Sequence, residues 1–95
     1  MGPHDIVRAS PRALLTELGD GTGVVLDLDT KFYFTLNRTG VLVWKELVTR
    51  KDGATPHALA ALLVEQFDVE PDAALADVLV ILETMGDEGL LARDK

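Results

Sequence analysis

Apolar and polar residues alternate with a period of two in three short runs, and then recur at helical spacing to the end of the chain. The alternating runs are residues 14–18, 24–28 and 32–36, rich in Leu, Val, Phe and Tyr, and each predicts a strand. Gly19-Asp20-Gly21-Thr22-Gly23 separates the first two as a turn-rich breaker, read as a flexible hairpin loop. Its glycines miss the spacing of a phosphate-binding G-x-G-x-x-G, and no helix follows. Asp29-Thr30-Lys31 is a tight connection, so the second and third strands form an antiparallel hairpin. Period two places Phe32, Phe34 and Leu36 on one face of the third strand and Tyr33 and Thr35 on the other. In the second strand Val24, Leu26 and Leu28 oppose Val25, Asp27 and Asp29, and the two aspartates mark a solvated face.

From Asn37 the period changes. Asn37 is an N-cap for a helix to about residue 49, buried through Val41, Val43, Trp44, Leu47 and Val48. Gly53 breaks the chain, and Thr55 with Pro56 starts a second helix whose inner residues are Leu59, Leu62, Leu63 and Phe67. Pro71 opens a third helix, with Glu70 and Asp72 complementing its dipole and Leu75, Val78, Leu82 and Met85 as its core stripe. Gly89 ends it, and Leu90-Leu91 turns back onto the core. The order β-β-β-α-α-α predicts a small α+β domain with helices on one face of a three-stranded antiparallel sheet. One side of the third strand is left as an edge if the strand order allows it.

Ninety-five residues, 47% of them hydrophobic, suit a single domain over residues 1–95, with 1–11 as a flexible arm. No apolar stretch is long enough to span a bilayer, the N-terminus has no signal-peptide core, and there is no cysteine, so a cytoplasmic protein is expected. Charge is uneven. Residues 1–51 carry seven Lys/Arg against six Asp/Glu, whereas residues 52–95 carry two against ten. That asymmetry serves either solubility or a neutral or cationic partner, and it opposes a phosphate backbone. Catalytic material is sparse. Ser10 and His4 lie in the arm, His57 is in the first turn of a helix, and no metal-ligand spacing occurs, so neither a catalytic residue nor a metal or other cofactor is expected.

The segment LDLDTKFYFTLNRTGVLVWKEL resembles the signature of the PqqD-like proteins, the recognition elements of ribosomal peptide-modification pathways. The matching positions are Leu26-Asp27, Tyr33-Phe34, Leu36-Asn37, Gly40 and Val43-Trp44, followed by Asp77-Val78, Ile81-Leu82 and Gly89-Leu90. The resemblance covers roughly residues 12 to 91. It implies a winged-helix-like domain that binds the leader of a precursor peptide and presents it to a modifying enzyme, whether a peptidase, a cyclase or a radical SAM enzyme. It also implies that the leader adds as a strand beside the third strand, in the groove made with the third helix, and the acidity of residues 52–95 predicts Lys or Arg in such a leader.

On that basis Phe32, Tyr33, Phe34, Thr35, Asp77, Val80, Ile81 and Thr84 are the candidate peptide-binding residues. An exposed strand edge supplies main-chain hydrogen bonds, and flanking pockets select side chains. Phe34 is read as core as well, together with Leu36, Val43, Trp44, Val78, Leu82 and Met85. Phe32 is open between core rim and pocket, and Asp77 between groove wall and solvated helix charge. Two other classes remain as alternatives: a winged-helix nucleic-acid binder and an oligomerisation or scaffold domain. The first needs basic residues on its recognition helix, and residues 71–92 contain none.

Overall fold

The computed structural model describes residues 2–50 and 52–92; Met1, Lys51 and residues 93–95 lie outside the described part. The elements run β1 (Arg8–Ala9), β2 (Ala13–Glu17), β3 (Gly23–Asp27), β4 (Tyr33–Leu36), α1 (Arg38–Thr49), α2 (Pro56–Gln66), α3 (Pro71–Asp87) and β5 (Leu91–Ala92). The α+β architecture is the expected one, with a three-stranded antiparallel sheet followed by three helices. The two short strands at the ends of the chain are additional.

β3 is central, paired with β2 on one side and β4 on the other, so β4 is an edge among the described residues. Register couples Leu15 to Val25 and Val25 to Phe34, which puts all three on the inner face. Val25 is fully buried there, and Phe34 and Leu36 are half-buried against the core. The outer face carries Leu14, Leu26 and Tyr33 in one cross-strand row. Asp27 therefore shares the inner face with Val25 rather than a solvated one. Its position at the strand end explains how a carboxylate is tolerated: Oδ1 accepts from the backbone N–H of Asp29 at 2.9 Å and of Thr30 at 3.3 Å, closing the turn into β4. Asp29 pairs with Arg12 at 2.9 Å on the exposed surface, where such a pair contributes little.

The loop between β2 and β3, expected to be flexible, carries its own hydrogen bonds. Leu18 N–H reaches Thr22 O at 2.8 Å, Asp20 accepts from the Thr22 N–H at 3.0 Å, and Arg38 Nε donates to Asp20 O at 2.8 Å. Asp20 is consequently held below its ordinary pKa of 3.8, first by the Thr22 hydroxyl and then by the Thr22 N–H.

The helix starts follow the sequence. Asn37 Oδ1 accepts from Gly40 N–H at 2.8 Å and Thr55 Oγ1 from Ala58 N–H at 3.1 Å, each satisfying one of the unpaired donors of a first turn. Trp44, Leu47, Leu59, Leu63, Val78, Leu82 and Met85 form the buried centre where the helices meet the sheet. Two expected core positions are exposed. Val48 is 58% exposed, because the packed face of α1 follows Val43, Trp44 and Leu47 and leaves position 48 at its margin. Phe67 is exposed because α2 ends before it: it is the C-cap, in extended conformation. Leu62 is half-buried at the edge of the same helix.

Part of the segment expected as a free arm is built into the fold. Val7 is buried and exchanges backbone hydrogen bonds of 2.8 and 2.9 Å with Ala54, and β1 pairs antiparallel with β5. Ser10 N–H also donates to Leu90 O at 2.8 Å. The signal was available in Ile6-Val7, an apolar pair too short to register as a periodic element.

Candidate functional site

The edge strand β4 has definite hydrogen-bonding geometry. Asp27 N–H donates to Phe32 O at 2.9 Å, and the register pairs Val25 with Phe34 and Gly23 with Leu36. In an antiparallel ladder bonded and non-bonded pairs alternate, so Phe34 and Leu36 direct their peptide groups at β3. The N–H and C=O of Tyr33 and Thr35 then point away from the sheet, along its free edge.

That edge is one wall of an open groove of about 690 Å³. Tyr33, Phe34, Thr35 and Leu36 line it from β4, and Asn37 and Gly40 from the start of α1. Val80, Ile81, Thr84 and Met85 line it from α3, with Glu88 and Leu90 just beyond that helix. The α3 wall follows from helical spacing. Val78, Leu82 and Met85 turn into the core, which leaves Val80, Ile81 and Thr84 about one turn apart on the adjoining face. Val80 is 65% exposed and Tyr33 68%. Single exposed apolar side chains are ordinary, whereas two set across one concave surface mark a place for apolar contact.

Six of the eight expected binding residues are brought together here: Tyr33, Phe34, Thr35, Val80, Ile81 and Thr84. The other two are not. Phe32 precedes the strand, is 67% exposed and does not line the groove, because Thr30 and Lys31 turn the chain immediately before it. The ladder holds in register through Phe32, whose C=O accepts from Asp27 N–H, so the ring is exposed because it lies at the turn end of the hairpin, past the residues packed on the core. Asp77 is an exposed charge on α3 outside the lining.

Sequence reasoning missed Asn37, Gly40, Glu88 and Leu90 as lining residues and assigned Leu36 and Met85 to the core alone. Leu36 and Met85 in fact form a floor that faces both ways. Asn37 and Gly40 carried a signal, since they are the N-cap and the residue it holds. Gly40 also packs closely, where an added Cβ would come within 3.3 Å of Leu36. A second, smaller hollow of about 400 Å³ lies between α2 and α3, lined by residues such as His57, Glu65 and Leu75, and no strand edge borders it.

Residues 22–91 match the family described as coenzyme PQQ synthesis protein D, PqqD. The chain belongs to the PqqD family. The matched span contains both walls of the groove. Among solved structures, the fold is similar to lasso peptide synthetase B1 complexed with its leader peptide (25% identity, TM-score 0.75, covering 94% of this chain and 100% of that one). It is similar also to TbiB1 in complex with the TbiA(β) leader peptide (22%, 0.77, covering 93% and 98%). A third is the PqqD truncation of Methylobacterium extorquens PqqCD, described as a functional stand-alone recognition element for ribosomally synthesised, modified peptides (22%, 0.77, covering 97% and 94%). A search of curated proteins gives no match. Among the described residues of this PqqD-family chain, no helix is long and apolar enough to cross a membrane.

Proposed function

We propose that this PqqD-family chain binds the leader segment of a ribosomally made precursor peptide and presents it to a modifying enzyme, acting by affinity and catalysing nothing itself. The observation that carries the reading is the unpaired edge of β4 facing the apolar wall of α3. A leader lying along that edge as an added strand bonds to the outward peptide groups of Tyr33 and Thr35, while its alternate side chains enter the groove against Val80 and Ile81. The complexes of TbiB1 and lasso peptide synthetase B1 with their leaders support this use of the fold. The modifying enzyme is a peptidase, a cyclase or a radical SAM enzyme, and the site of action is cytoplasmic. The acidic α3 disfavours a nucleic-acid partner.

Amide shift mapping with a cognate leader peptide tests the site. The largest shifts are expected at residues 33–36 and 80–88. Shifts concentrated on α2 would place the ligand in the smaller hollow and refute the groove. Mass spectrometry of the same precursor incubated with this protein alone should show no change in mass, and reproducible cleavage or modification would overturn the non-catalytic reading.

A further inference from the structure

We infer that the segment held in this groove carries a lysine or arginine, and that Glu88 is the residue that selects it. The inference rests on the leader-binding reading and adds the chemistry of the ligand. Among the described lining residues Glu88 is the one charged side chain; the remainder are apolar, glycine, or the neutral polar groups of Tyr33, Thr35, Asn37 and Thr84. Among the described residues its carboxylate has no ion-pair partner.

Its position makes that charge more than incidental. Glu88 is the C-cap of α3, directly after Asp87, and the last turn contains no basic residue. Carboxylates at a helix C-terminus face the negative end of the dipole, the unfavourable arrangement. The helix is closed by peptide groups: Leu90 N–H donates to Met85 O at 2.9 Å and Gly89 N–H to Gly86 O at 3.1 Å, with Gly89 at φ 77°. The Met85 and Gly86 carbonyls are thereby bonded by peptide groups, with no cationic side chain at the helix end. One end of an otherwise uncharged groove therefore combines a free carboxylate with an unneutralised helix terminus, and both attract positive charge. A guanidinium can in addition pair with a carboxylate through two parallel hydrogen bonds. The rest of the groove has no charge with which to place a cation, so a basic residue is read at the Glu88 end and apolar residues elsewhere.

A random dodecapeptide display library selected separately on the wild-type protein, Glu88→Gln and Glu88→Lys provides the test. The wild type should enrich apolar peptides with Lys or Arg at a fixed spacing from an apolar anchor. Those peptides should bind Glu88→Gln about three- to ten-fold more weakly. Glu88→Lys, which removes an unfavourable charge from the helix end and is expected to fold, should enrich Asp or Glu at the same spacing. Apolar peptides without a charge preference, or a preference that survives both substitutions, would overturn the role of Glu88 and leave the groove reading intact. Peptides whose binding ignores Val80→Asp would overturn the groove reading itself, as would a failure to enrich any.

Discussion

Gly53 and Asp20 show how much a single position can determine in a domain of this size. Gly53 sits at φ +88°, and an added Cβ would lie 2.6 Å from Val7 O and 2.8 Å from Ile6 Cγ2. Gly53→Ala should therefore destabilise the fold by about 1–3 kcal/mol, measured as a lowered urea midpoint, because both the left-handed backbone and the Val7–Ala54 bridge resist it. Asp20 works through pH. Its folded pKa is below 3.8, so its contribution to stability is present above that value and is lost as pH falls through the folded value. Thr22→Val removes the largest cause, and the carboxyl carbon of Asp20 should then titrate closer to 3.8 by NMR. A titration unchanged by the substitution would assign the depression to the backbone donor instead. The caps Asn37 and Thr55 were legible in the sequence because a cap needs only one residue type ahead of an apolar stripe. The turn role of Asp27 was not, since an aspartate in a strand pattern looks the same whether it meets water or its own backbone.

At the scale of the element, β4 is the proposed binding strand, and only part of it could be read in advance. Alternation separated Tyr33 and Thr35 from Phe34 and Leu36, and that separation holds in the fold. Which strand is central depends on contacts distant in sequence, so the free edge required the topology. Phe32 escaped the pattern because it lies at the turn end of the hairpin, past the last side chain packed on the core, and alternation alone does not show where the core stops. The edge has consequences that hydrogen exchange can read. In the free protein the amides of Tyr33 and Thr35 should exchange faster than those of Phe34 and Leu36, and leader binding should protect the first pair selectively. Thr35→Pro should fold, since proline is tolerated on an edge strand, yet bind leader weakly because one outward donor is gone. Tyr33→Ala should cost about 1–3 kcal/mol in leader affinity with little loss of stability. A Tyr33 variant that unfolds would show that the ring belongs to the core.

Across the whole molecule, the groove lies where two differently charged halves of the chain meet. β4 comes from the half with seven Lys/Arg and six Asp/Glu, and α3 from the half with two and ten. The halves are joined as well where β1 pairs with β5. A cationic leader approaching the groove therefore meets a field that grows toward α3, while the contacts that hold it afterwards are the apolar wall and the strand edge. Exposed charges act mainly on encounter, and their reach is roughly 8–10 Å at moderate salt. Raising salt from about 50 to 500 mM shortens that reach several-fold, so the association rate should fall across the series. Dissociation should change much less, because burial and main-chain hydrogen bonds are weakly screened. Stopped-flow binding at several salt concentrations separates the two rates. An association rate indifferent to salt, or a cognate leader that is itself acidic, would show that the charge of residues 52–95 serves solubility or the modifying enzyme rather than the leader.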